Sequence, residues 1–214
     1  MTDSVKRRYS SQLRAAQAGQ TRRRIVEAAQ RLFVEEGYAA TTIDAVAAAA
    51  GVSRKTVFSS VGGKVDLLRL AMEWAVAGDD EPVTLTDRDE MRALLAGTDA
   101  ATLLRSWAGV ITAIDTRTAR LFAALEVAAG TDAEARELAA RFERQRLDGA
   151  RRIVDRLTQL GALDRALKRA EAADIAWLST DPLLYDRLVR VRGWSSKRFS
   201  AWLAESLCRQ LLHG

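Results

Sequence analysis

Thr-Thr-Ile-Asp-Ala-Val-Ala-Ala-Ala-Ala-Gly-Val-Ser-Arg-Lys-Thr-Val-Phe-Ser-Ser-Val-Gly-Gly-Lys, residues 41 to 64, decides how this chain folds. Thr41 followed three residues later by Asp44 has the spacing of a capping box, and Ile43, Val46 and Ala47 then recur at helical spacing to make one apolar face. Gly51 stands just past that periodic set, where a residue in the left-handed conformation closes a helix, and Ser53 can cap a second helix that begins at Arg54. Two helices joined by so few residues must cross steeply. Such a pair lays its second helix into the major groove of DNA, with the first residues of that helix nearest the base edges.

The charge of the chain is distributed in keeping with that reading. Of the 214 residues, 1 to 66 hold 11 Lys or Arg against 6 Asp or Glu, while the other 148 balance 22 against 22, so the whole net charge of +5 sits around the helix-turn-helix. A basic surface next to a groove-reading helix is the footprint of a nucleic-acid binder, because each phosphate neutralised releases condensed counterions. A hydrophobic content of 48% provides for a buried core, and two prolines in a chain rich in Ala, Leu, Arg and Glu favour an all-α fold. No apolar run is long enough to span a membrane and the first residues lack the apolar core of a signal peptide, so a cytoplasmic location is expected. Cys208 is the single cysteine and has no partner in the chain for a disulfide.

Residues 1 to 20, with Lys6, Arg7, Arg8 and Arg14 among Ser, Gln and Ala, read as a loose basic arm. From Thr21, the set Ile25, Ala28, Ala29, Leu32, Phe33 predicts a helix that Gly37 ends. Its first turn would carry Arg22, Arg23 and Arg24 at the positive end of a helix, a placement that phosphate would relieve. The DNA-binding domain is thus expected over 21–66, and a helical domain over 67–214. Val65, Leu68, Leu70, Ala71, Trp74 and Ala75 predict a helix leading into the second domain, ended by Asp79-Asp80-Glu81-Pro82 and a solvated acidic loop to about Arg88. Further helices are expected over 88–97, 100–114, 117–129, 132–160, 168–179, 182–191 and 195–212.

Gly-Tyr-Ala-Ala-Thr-Thr-Ile at 37–43 and Gly-Val-Ser-Arg-Lys-Thr-Val-Phe at 51–58 resemble the N-terminal domain of the tetracycline-repressor (TetR) family. The resemblance is tight from about Thr21 to Leu68, and weaker over the last helices. It implies an N-terminal three-helix helix-turn-helix domain, a C-terminal helical domain for effector binding and dimerisation, and a sequence-specific regulator, generally a repressor released by a small molecule. It further implies base contacts from Arg54, Lys55 and Thr56, and backbone contacts from Thr42 and Lys64, with Arg22, Ser59 and Ser60 completing the DNA-facing set. Arg54 is the preferred base reader, since its guanidinium can donate two parallel bonds to guanine. The amides around Gly62-Gly63 would add to phosphate binding. Phe58, Ser59, Ser60 and Val61 depart from the aromatic and bulkier residues usual there, which leaves Phe58 without a hydroxyl to offer phosphate.

The second domain has no motif of its own. Trp107, Ile111, Phe122, Leu125 and Phe142 lie on apolar faces of its central helices and are the candidates to line an effector pocket. With no buried charge evident in the pattern, an apolar or aromatic effector is expected. Ala173, Trp177, Trp202, Ser206 and Gln210 on the closing helices are the candidate dimer interface, through which two recognition helices about 34 Å apart would meet successive major grooves. Effector binding would tilt the helix from Val65 to Gly78, and the coupling must be reciprocal.

Catalysis is not expected. The single histidine, His213, is penultimate and reads as an inert tail residue, and no Ser-His-Asp, Cys-His, zinc-binding or phosphate-loop pattern occurs. No cofactor or metal is implied. An effector-activated regulator and a nonspecific architectural DNA binder are the alternatives; the second fits the basic arm but not a large neutral domain.

Overall fold

Gly51 lies at φ 65°, ψ 41°, the left-handed geometry that a side chain disfavours, and its N–H bonds back to Ala47 and Ala48 carbonyls. This closes α3 (Ile43–Ala50), and Ser53 opens α4 (Arg54–Ser60) by accepting a bond from the Thr56 N–H at 3.1 Å. In the computed structural model, residues 2–79 and 88–213 are described, 2–14 in backbone alone. The regular secondary structure of the described residues is helical, with one isolated antiparallel bridge between Leu163 and Leu212. The all-α expectation holds.

Two compact units divide at Glu73 and Trp74, inside α5 (Lys64–Ala77), which runs unbroken through the division instead of the domains parting after residue 66. In the first unit, α1 (Thr2–Glu35) packs against α2 (Gly37–Ala40), α3 and α4. Ile25, Val26, Ala29, Phe33, Val46 and Val57 are buried there, and the Phe33 and Tyr38 rings stack at 5.7 Å.

Three local expectations need correction. Residues 2–20 continue α1 and are not a loose arm, since Ala, Gln and Arg are good helix formers and no proline interrupts them. Arg22, Arg23 and Arg24 are therefore mid-helix, away from the positive end of the dipole that would have made them unfavourable. The cap of α3 is Thr42, whose hydroxyl accepts from the Ala45 N–H at 3.1 Å. Thr41 is buried instead and donates to the Gly37 carbonyl at 2.8 Å.

The second unit holds α6 (Asp89–Ala96), α7 (Ala100–Ala129), α8 (Ala133–Gln159), α9 (Arg169–Ser179), α10 (Pro182–Tyr185) and α11 (Ser196–Leu211), with a π-helical turn at Asp186–Val191. α7 packs against α8, α10 and α11, and α9 packs against α8 and α11. The two helices expected over 100–114 and 117–129 are one, because nothing in Asp115-Thr116 breaks a helix. Thr112, Thr116 and Thr118 satisfy their hydroxyls on carbonyls four residues back. His213 is no frayed tail: its Nδ1 lies 2.9 Å from the Ala162 carbonyl, and the Asp164 N–H donates to Leu211 nearby. Most of the expected acidic loop, 80–87, lies outside the described residues; a two-pronged Arg88–Asp79 ion pair at 2.7 Å joins its flanks. Among the described residues no helix is long and apolar enough to cross a membrane.

Glycine substitutions separate backbone demand from propensity. Gly62 lies at φ 122°, and a Cβ there would come within 2.3 Å of Asp66 Oδ2, whereas a Cβ at Gly109 within α7 meets no atom within 4 Å. Gly62→Ala is expected to destabilise the first unit by about 1–3 kcal/mol. Gly109→Ala is expected to stabilise the second by about 0.5–1 kcal/mol. Urea denaturation midpoints of the two variants check both signs.

Candidate functional site

Most of the residues expected to face DNA lie on α4 and at the starts of α3 and α5. Arg54 and Lys55 are exposed in the first turn of α4, and Thr56 is half-buried with its hydroxyl 2.8 Å from that of Ser53. Ser59 is exposed and donates to the Thr56 carbonyl at 3.2 Å; Ser60 is half-buried, and Arg22 and Thr42 are exposed. Lys64 sits over the Tyr38 ring at 4.2 Å with Nζ 3.3 Å from the Ala39 carbonyl, so its ammonium is held at the start of α5 and not left to wander.

Two features of this surface were not legible beforehand. Arg54 Nη1 donates to Asp44 Oδ2 of α3 at 2.6 Å while its guanidinium lies over the Phe58 ring at 5.6 Å. Phe58, 46% exposed, therefore serves as a platform for the arginine where a hydroxyl is absent. The pair is solvent-exposed and contributes at most about 1 kcal/mol, enough to orient the side chain but not to lock it. The amides at Gly62 and Gly63 correct an expectation: Gly63 N–H donates to Asp66 Oδ2 at 3.0 Å and Gly62 N–H to the Val57 carbonyl at 3.4 Å. They are already bonded, and a carboxylate occupies the place expected for phosphate.

The five candidate effector residues divide. Trp107 is buried in an apolar cluster with Leu103, Leu104, Phe199 and Leu203, and Ile111 packs against it. Phe122 and Phe142 meet edge to face at 5.7 Å between α7 and α8, and Leu125 is fully buried. None of the five lines the surface depression of about 210 Å³ bounded by Arg151, Val154, Asp155, Arg169, Ala170 and Ala173.

Asp115 was missed. It is 2% exposed, with no hydrogen-bond partner for Oδ2, and burial pushes its carboxyl up to about 8, against the pull of Arg146 and with a smaller push from Asp181. It is a buried acid that the apolar pattern of α7 does not announce. The one signal in the sequence was the break at 115–116 in the apolar pattern of α7, which looked like a helix end.

Of the interface candidates, Ala173 is 3% exposed within its own protomer, in the same cluster as Trp107, and has almost no surface left for a second copy. Trp177 is half-buried and donates from Nε1 to Glu143 at 3.1 Å. Trp202 packs on Trp194 and Phe199; Ser206 is half-buried and Gln210 exposed. Leu178, one residue beyond Trp177, is an exposed apolar side chain that spacing did not single out. Among the described residues no cluster of His, Cys, Asp and Glu could hold a metal ion.

Residues 25–71 match the family described as bacterial regulatory proteins, tetR family. The HTH-type transcriptional regulator SrpR of Pseudomonas putida is 40% identical over 58 residues, a match spanning 27% of this chain and 27% of that protein. Across nearly the full length, the fold is similar to a Saccharomonospora viridis regulator in complex with choline (TM-score 0.71, 19% identity, 92% of this chain and 100% of the other). It is also similar to NalD, the secondary repressor of the MexAB-OprM multidrug efflux pump in Pseudomonas aeruginosa (TM-score 0.67, 20% identity, 92% and 98%).

A buried acid with a raised pKa makes stability fall as pH rises. The folded state binds the Asp115 proton more tightly than the unfolded state, so this contribution is full below the ordinary value of 3.8 and is lost as pH rises through about 8. Urea midpoints between pH 5 and 9 should decline more steeply for the native chain than for Asp115→Asn, with the variant the more stable at pH 9. Parallel profiles would show that the carboxyl is hydrated.

Proposed function

We propose that this chain, whose helix-turn-helix domain is that of the TetR family, is a homodimeric, sequence-specific DNA-binding regulator that a small organic effector releases from its operator. The observation that carries the reading is the α3–α4 pair. Both helices are capped, the turn is closed by Gly51, and Arg54 and Lys55 are exposed at the start of the second helix, on the unit that holds all the net positive charge. Arg54, with Lys55 and Thr56 beside it, reads bases; Ser59, Ser60, Thr42, Arg22 and Lys64 hold the backbone.

Effector binding belongs to the second unit, whose long helices α7 and α8 enclose aromatic side chains and Asp115. The choline complex of the S. viridis regulator and the efflux-pump repression by NalD support a repressor that answers small molecules. Dimerisation through α9 and α11 places two recognition helices on one DNA face. A regulator of this kind works in the cytoplasm and has no catalytic step.

The test is a titration of the purified protein against DNA flanking its gene, with unrelated duplex as competitor, at about 0.15 M salt. Competition-resistant binding at two protomers per site is expected. Arg54→Ala should lose about 1–3 kcal/mol of discrimination at one base position of each half-site, whereas Lys64→Ala should weaken all duplexes alike and reduce the salt slope by about 1. A uniform loss in both variants would remove Arg54 as the base reader.

A further inference from the structure

Asp115 lies where three elements meet. Phe122, seven residues further along α7, meets Phe142 of α8, and Arg146, one turn beyond Phe142, is the cation that acts on Asp115. Asp181, between α9 and α10, is the other charge that acts on it. The carboxyl thus sits in the seam of α7 and α8, beside the α9–α10 turn.

The neighbouring charges are already committed. Arg146 Nη1 donates to both carboxylate oxygens of Glu143 at 2.8 and 2.9 Å, and its Nη2 donates to the Trp177 carbonyl at 3.1 Å. Glu143 also accepts from Trp177 Nε1, and Asp181 accepts from the Leu183 N–H at 2.8 Å as the cap of α10. One guanidinium therefore stands among three carboxyls, and Asp115 is the one whose oxygen has been left without a bond. An unsatisfied buried polar atom costs about 1–3 kcal/mol, and groups retained at such a cost mark sites of function.

We infer that Asp115 is the anchor for a hydrophobic organic ammonium ion, which this seam accepts as effector. This deepens the proposed effector-binding role and rests on it. A ligand cation supplies the partner that the buried Oδ2 of Asp115 lacks. The rings of Phe122, Phe142 and Trp177 around the seam suit a cation with apolar substituents. Arg146 Nε, also buried and unbonded, can donate to an acceptor oxygen on the same ligand. In the free protein burial keeps the carboxyl protonated near neutrality. The entering cation replaces that proton, so the carboxylate–ammonium pair forms as one proton leaves to solvent.

The test is calorimetry of the full chain at pH 7 with aryl- and alkyl-trimethylammonium ions of increasing size, each beside its neutral isostere in which carbon replaces nitrogen. At least one ammonium should bind tenfold or more tightly than its isostere. Its heat should vary with buffer ionisation enthalpy as release of close to one proton requires, a readout on the native chain that needs no variant. Asp115→Asn should cost at least tenfold in ammonium affinity and abolish proton release, while leaving the isostere unchanged. Equal binding of isostere and ammonium, proton release that survives in the variant, or no ammonium bound at the limit of solubility would each overturn the assignment. Operator release by a neutral isostere would leave the effector role standing with the cation assignment gone. If neither probe set binds and operator binding responds to neither, the effector reading falls as well.

Discussion

Helices end with carbonyls that have no partner of their own, and in the second unit arginines from the two long helices meet that demand. Arg117 of α7 donates from Nε to the Ala75 carbonyl at 2.7 Å and from Nη2 to Val76 at 3.2 Å, at the end of α5. Arg156 of α8 reaches the Gly97 carbonyl after α6 at 2.8 Å, and Arg146 reaches Trp177 near the end of α9. A cation at the negative end of a helix dipole satisfies both the hydrogen bond and the charge. Three shorter elements are thereby tied to α7 and α8. Among those ends is the last turn of α5, whose carbonyls of Ala75 and Val76 are held by Arg117.

The first unit meets its constraints with smaller means. Gly51 supplies a backbone conformation, Thr42 and Ser53 supply caps, and Asp66 closes the start of α5 on the Gly63 amide. With the frame set by these local bonds, the surface is left free for Arg54, Lys55 and Ser59. Arg54 is bonded to Asp44 and stacked on Phe58. An exposed ion pair of this sort is weak, yet it narrows the rotamers of the arginine.

Asp115 opposes the logic of the core around it. Thr112 and Thr118 beside it are buried too, but each bonds its hydroxyl to its own helix and costs little. A carboxyl has no such local remedy at mid-helix, so burial raises its pKa and leaves Oδ2 unmatched. The nearby guanidinium does not relieve it, because Glu143 and the end of α9 already hold Arg146 in place.

The sequence by itself determined the helix-turn-helix. Its apolar spacing, its capping residues and Gly51 act within a few residues of each other, and their physics is local. The same holds for the charge division and for most helix boundaries of the second unit. The errors arose where local signals were ambiguous: Thr41 and Thr42 are equivalent by composition, and only packing buries one and leaves the other as cap. The candidate sites were legible in part, as exposed polar and basic residues of α4 and as apolar faces. Which apolar residues meet was not, since Phe122 with Phe142 and Tyr185 with Phe199 are pairings across helices. Tertiary structure alone decided that Arg54 leans on Asp44, that the Gly63 amide is taken, and that Asp115, which reads as a helix break, is a buried acid whose Oδ2 has no hydrogen-bond partner. Each depends on groups brought together from separate elements, and periodicity along one helix carries no record of what the neighbouring helix presents.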